Sequence, residues 1–121
     1  MATMNNVIDC VDRLKPNVYT DEDKYLWISN VDGMIGVEVL GNKEPIKYDI
    51  PEDANKELLV PHPYDDIYQF YVSAMIDLHN KEYEHYNNNV AIFKERLDQF
   101  KAYHIRNNPN CKADNFRNIM G

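Results

Sequence analysis

The apolar positions are densest between Pro61 and Leu78, in PHPYDDIYQFYVSAMIDL. Ile67, Phe70, Tyr71, Ala74 and Leu78 recur at spacings of three, one, three and four, one face of an α-helix. Tyr68, Val72, Met75 and Ile76 cover most of the remainder, and only Gln69, Ser73, Asp77 and Asn80 form a narrow polar stripe. A helix apolar nearly all round is a buried helix, so this segment is the expected centre on which everything else packs. Pro61 and Pro63 fix φ and bias their predecessors towards extended backbone, which predicts a stiff, non-helical approach over Val60 to Pro63. Asp65 and Asp66 then suit the orphan N–H groups and positive dipole end of the helix start.

The flanking elements follow from the same reading. Asn5 or Asn6 can cap a first short helix whose apolar face is Val7, Ile8, Val11 and Leu14, with Cys10 beside it and Pro16 as its stop. After a link at Asn17 to Tyr19, Thr20 reads as the N-cap of a second helix, with Asp21, Glu22 and Asp23 in its first turn. Trp27, Val31 and Met34 form one stripe; Ile28, Ile35 and Val39 form another beside it. Gly33 and Gly36 each cost about 1 kcal/mol relative to Ala in a helix interior. They permit a close crossing or mark a bend, and one helix with a weak point, running to about Leu40 and ended by Gly41-Asn42, is expected.

Residues 43–60 are the least helical. Pro45 and Pro51 bracket Ile46-Lys47-Tyr48-Asp49-Ile50, whose alternation predicts a short strand or extended arm. Asp53 to Leu59 suits a turn of helix. Beyond the central helix, the asparagines of His79 to Asn89 place a bend near Asn80-Lys81 or at Asn87 to Asn89. Tyr86, Val90, Phe93, Leu97, Phe100 and His104 then recur at alternating four and three, a heptad-type seam, with Ile92 and Tyr103 off it and Asn107-Asn108-Pro109 as its end. The expected fold is all-α: a small bundle of about four helices, with an extended arm or short β segment between the second and third. Residues 1–109 form the expected single domain and residues 110–121 a flexible tail carrying Phe116, Ile119 and Met120.

Composition narrows the function. The chain has 121 residues, 44% of them hydrophobic, enough to bury one core. A formal charge of −7 and a pI near 4.9 argue against a protein that grips phosphate backbones and leave open a surface past which DNA slides, although a charge of this size is accounted for by solubility alone. Cys10 and Cys111 lie near opposite ends, outside any CxxC or metal spacing, and read as free thiols in a reducing compartment. MATMNNVIDCVDRLK lacks the apolar core of a signal peptide, and no run is long enough to span a bilayer.

No catalytic pattern appears. His79 and His85 do not share a helical face, and Glu82-x-x-His85 is a lone Glu-x-x-His where a di-iron bundle needs two with further carboxylates. His62 simply precedes Pro63, and His104 belongs to the seam. Asp65 and Asp66 are neighbours that cannot face one another across a substrate. Nucleophile elbows and glycine-rich phosphate loops are missing. Tyr64, Tyr68, Tyr71, Tyr83 and Tyr86 cluster around the central helix with only Lys81 nearby, a pattern of packing or protein contact rather than base stacking. No enzymatic activity, metal or cofactor is expected.

One stretch carries a likeness. PHPYDDIYQFYVSAMIDLHNKEYEHYNNN, with its proline-bracketed PYDD, Ala-x-Ile-Asp and Glu-Tyr-x-x-Tyr-Asn-Asn, resembles small neck proteins of tailed bacteriophages and prophages of Gram-positive bacteria. Leu14-Lys15-Pro16-Asn17, Trp27-Ile28-Ser29 and Asp32-Gly33 agree, and the similarity runs from about Val7 to Tyr103. Such proteins look like head–tail connectors, or adaptors. The resemblance implies a helical fold with a loop or arm and no reaction or cofactor. It implies a ring of about twelve copies docked under the portal protein, which extends the DNA channel without binding DNA specifically. That ring also receives a downstream stopper or tail-completion protein. Its expected place is the virion neck, after synthesis in the bacterial cytoplasm.

Ring formation needs two different complementary faces on each copy, and extended or unpaired segments are natural docking pieces. Phe116, Ile119 and Met120 are therefore the candidate portal contact, and Ile46, Tyr48 and Ile50 the candidate contact for the downstream component. A different class of function also fits the acidity: a small phage protein that binds and regulates a host enzyme.

Overall fold

A computed structural model describes residues 3–50 and 52–107. Four α-helices account for most of it, as the patterning predicts: α1 (Met4–Leu14), α2 (Asp21–Glu38), α3 (Ile67–His79) and α4 (Tyr83–Asn107), with short 3₁₀ turns at Glu52–Asn55 and Tyr64–Asp66. No strand occurs among the described residues; the one β-type pairing is an isolated antiparallel bridge between Thr3 and Glu57.

The first helix is capped by Thr3 rather than by Asn5 or Asn6: its hydroxyl accepts the Asn6 N–H at 3.2 Å. Met4, Val7, Ile8 and Val11 are buried, but Leu14 is 62% exposed. Thr20 caps α2 as expected, accepting the Asp23 N–H at 3.2 Å. This helix is continuous through both interior glycines and ends before Gly41, which takes a positive φ of 78°. The close approaches that Gly33 and Gly36 permit are to the following chain, not to another helix. A Cβ at Gly33 would stand 3.3 Å from the Pro45 side chain, and one at Gly36 would stand 2.9 Å from Asn42 and 3.1 Å from Leu59. Met34, which shares a stripe with Trp27 and Val31, is exposed whereas they are buried.

Helix α3 is the centre of the molecule, lying against α1, α2, α4 and the turn that precedes it. Its buried side chains are Ile67, Tyr68, Val72, Ala74, Ile76 and Asp77. Phe70 and Leu78, placed by periodicity on the principal face, are only half-buried, and the core runs instead along Tyr68, Val72 and Ile76. Two further expectations fail here. Asp66 occupies the N-cap position without a side-chain capping bond; its carboxylate lies 3.5 Å from Arg96 of α4. Asp77, read as part of the polar stripe, is fully buried, where Lys15 pairs with it and Asn89 donates to it at 2.6 Å.

The link after α3 turns at Asn80-Lys81, with Lys81 at φ 62°, while Asn87 to Asn89 lie inside α4. The heptad seam packs along α3 and the Tyr64–Asp66 turn. Phe100 is the buried anchor, with the Tyr64 ring at 6.0 Å and Tyr103 at 6.3 Å, and Phe93 meets Tyr71 at 5.4 Å. His104 is half-buried at 6.3 Å from Phe100, as its seam position requires. At the opposite corner Trp27 is enclosed by Tyr19 at 5.7 Å and His79 at 5.3 Å, which joins the start of α2 to the end of α3.

Candidate functional site

The most heavily built polar feature lies inside the bundle. Asp32 projects from α2 and is completely buried. Its carboxylate accepts the Tyr68 hydroxyl at 2.5 Å, the Tyr48 hydroxyl, and the Leu59 N–H at 3.3 Å. Tyr68 Oη in turn accepts the Val60 N–H at 3.0 Å. One carboxylate thereby gathers α2, α3, the segment before α3 and the segment after α2. Burial pushes the Asp32 carboxyl above the ordinary range, and its three hydrogen bonds offset only part of that. The phenols of Tyr48 and Tyr68 are pushed up by the same burial and by the adjoining carboxylate. Three donors from three parts of the chain converge on this carboxylate, which makes it a clamp between them.

Tyr48 anchors residues 43–50, the segment expected as an arm. Ile46, Tyr48 and Ile50 turn towards the core, with Tyr48 buried and the two isoleucines half-buried, while Lys47 and Asp49 are exposed. The segment is pinned at one end, where the Asp49 N–H reaches Asp53 Oδ2 at 2.8 Å and the Asp53 N–H reaches the Asp49 carbonyl at 2.7 Å. Among the described residues, 43–48 form no backbone hydrogen bond. Their donors and acceptors are left to solvent or a partner. Between this segment and α2 lies an open groove of about 650 Å³, lined by Gly33, Met34, Val37, Pro45, Ile46 and Tyr48 among others.

Of the residues singled out in the sequence, Ile46, Tyr48 and Ile50 thus come together on one segment beside a groove, with Tyr48 committed to Asp32. Phe116, Ile119 and Met120 lie outside the described residues, as do Cys111 and Pro109. Cys10 is a free, half-buried thiol whose Sγ lies 3.2 Å from Gln69 Oε1. Glu82 and His85 are both exposed, and no group of three His, Cys, Asp or Glu side chains suited to a metal ion occurs among the described residues. No helix among them is long and apolar enough to cross a membrane. Of the clustered tyrosines, Tyr68 is in the core, Tyr64, Tyr71 and Tyr86 are half-buried, and Tyr83 is 57% exposed.

Asp32 escaped the sequence reading, although a signal was there. It sits four residues after Ile28 and three before Ile35, in the middle of an apolar stripe, where a charge must find partners. Neither a protein-family model, nor a curated protein, nor a solved structure matches this chain.

Proposed function

We propose that this protein is a head–tail connector of a tailed bacteriophage or prophage. It forms a ring under the portal protein, extends the DNA channel and supports attachment of the downstream neck component. The observation that carries the reading is the stretch from Pro61 to Asn89, whose PYDD, Ala-x-Ile-Asp and Tyr-Asn-Asn elements resemble those of neck proteins. In the fold this stretch is the 3₁₀ turn, α3 and the opening of α4, the part against which the remaining helices pack. An all-helical body with an unpaired segment beside a groove gives such a protein places to meet neighbours. A net charge of −7 lets a duplex pass without being held.

Co-sedimentation of the purified protein with portal rings, and with DNA-filled heads from the same genome, tests the reading. The expected result is an added ring beneath the portal in negative-stain images. A folded protein that binds neither would overturn it.

A further inference from the structure

The face of α2 turned away from the core carries Glu22, Leu26, Asn30, Met34 and Glu38 at a strict spacing of four, all exposed. Positions four apart form one ridge of a helix surface. Leu26 is 57% and Met34 41% exposed, so the middle of this ridge is apolar and both ends are acidic. The groove of about 650 Å³ runs beside it, between α2 and residues 45–49. On α4, Lys94, Asp98, Ala102 and Arg106 form a second exposed ridge at the same spacing, basic at both ends with Asp98 and Ala102 between them, and with exposed Glu95 and Lys101 next to it. None of Glu22, Glu38, Lys94, Lys101 and Arg106 is in an ion pair among the described residues.

The whole chain is divided in the same sense. Residues 94–121 carry six Lys or Arg against three Asp or Glu, whereas residues 1–93 carry seven against seventeen. A molecule with a basic end and an acidic body is complementary to a second copy of itself in a head-to-tail sense, which is the heterologous type of contact.

We infer that the α2 ridge and its groove are the docking site for α4 of a second copy. Glu22 and Glu38, about 24 Å apart along α2, reach the basic ends of the α4 ridge, about 18 Å apart, through the length of the Lys94 and Arg106 side chains, and Leu26 and Met34 lie over Ala102 and the aliphatic stems of the lysines. The mode is a helix laid in a groove, with charge setting the register. The same two faces are present on every copy, so the contact repeats from one copy to the next. The inference rests on the connector reading for the closure of that series into a ring, and on exposure and charge for the contact itself.

Charge exchange tests it. One full-length variant carries Lys94→Glu and Arg106→Glu; the other carries Glu22→Lys and Glu38→Lys. All four positions are exposed, and circular dichroism verifies the fold. In sedimentation velocity the wild type is expected to associate with rising concentration, less so at high salt. Each variant alone should associate at least about tenfold more weakly. Their equimolar mixture should recover the wild-type behaviour, because each contact then joins opposite charges. Met34→Asp should weaken association at any salt concentration.

A wild type that stays monomeric up to millimolar concentration overturns the inference. So do variants that associate as the wild type does, or a mixture that fails to recover. A chain that joins the portal but fails the exchange loses this contact and keeps the connector reading. One that passes the exchange and ignores portals keeps the contact and loses the reading.

Discussion

The Tyr68 hydroxyl of α3 donates to the Asp32 carboxylate of α2 at 2.5 Å while accepting the Val60 N–H at 3.0 Å. Because the same carboxylate also holds Tyr48 and the Leu59 N–H, it closes the non-helical chain between α2 and α3 onto the bundle. Asp32→Ala leaves two buried hydroxyls and one N–H without their acceptor, and a loss of about 3–5 kcal/mol is expected. Tyr48→Phe removes one donor and should cost about 1–2 kcal/mol. Urea unfolding of both variants and of the double variant checks this: the two changes should be strongly non-additive, since they break one interaction. Additive losses would mean that the clamp is not a unit.

Burial holds the Asp32 carboxyl above its ordinary value of 3.8. The folded state therefore binds this proton more readily than the unfolded state. The cost of the buried charge is fully present at pH values above the raised folded pKa. It is relieved as the pH falls through that pKa towards 3.8. Relative to Asp32→Asn, the wild type should gain stability over that acidic window and show a constant difference above it. Asp12 runs the other way. Burial raises its pKa, but hydrogen bonds from Lys24 and Asn17 outweigh this and leave it lowered. Its contribution is present above about pH 3.8 and is lost as the pH falls through the folded pKa. Urea midpoints of wild type, Asp32→Asn and Asp12→Asn across pH 3–7 would show opposite trends.

Phe100 is the buried anchor of α4, whereas Phe70 of the central helix is only half-buried. Phe100→Ala should cost about 3–5 kcal/mol and Phe70→Ala distinctly less. Hydrogen exchange locates the first loss: the C-terminal half of α4 should open in Phe100→Ala before α1 or α2 does. Equal losses at the two sites would mean that Phe100 is not the more deeply packed of the two.

Gly36 has little room, since an added Cβ would stand 2.9 Å from Asn42 and 3.1 Å from Leu59. Leu59 belongs to the segment held by Asp32, so it cannot move freely. Gly36→Val should destabilise by about 1–3 kcal/mol through overpacking, despite the better helix propensity of the new residue. Gly33 faces the exposed Pro45 at 3.3 Å, and Gly33→Ala should fall within about 1 kcal/mol of the wild type because that neighbour can shift. Thermal melts of the two variants distinguish the sites.

The four helices were legible in the sequence because each advertises itself locally. Thr20 followed by Asp23 marks the start of α2, Gly41-Asn42 its end, and the Tyr86-to-His104 seam the inward-facing line of α4. Capping, turn chemistry and periodicity are short-range physics, and a single chain carries them whole. What the sequence left open depends on which surfaces meet. Periodicity marked Leu14 and Met34 as apolar positions, but only packing decides whether another element covers them, and none of the described elements does. It marked Asp77 as polar, but Lys15 and Asn89 arrive from distant elements to make its burial tolerable. Asp32 is the clearest case. Its partners Tyr48, Leu59 and Tyr68 lie 16, 27 and 36 residues away, so neither spacing nor propensity joins them. A buried charge is stabilised only by donors that the tertiary fold brings to it, and that convergence exists only in the folded molecule.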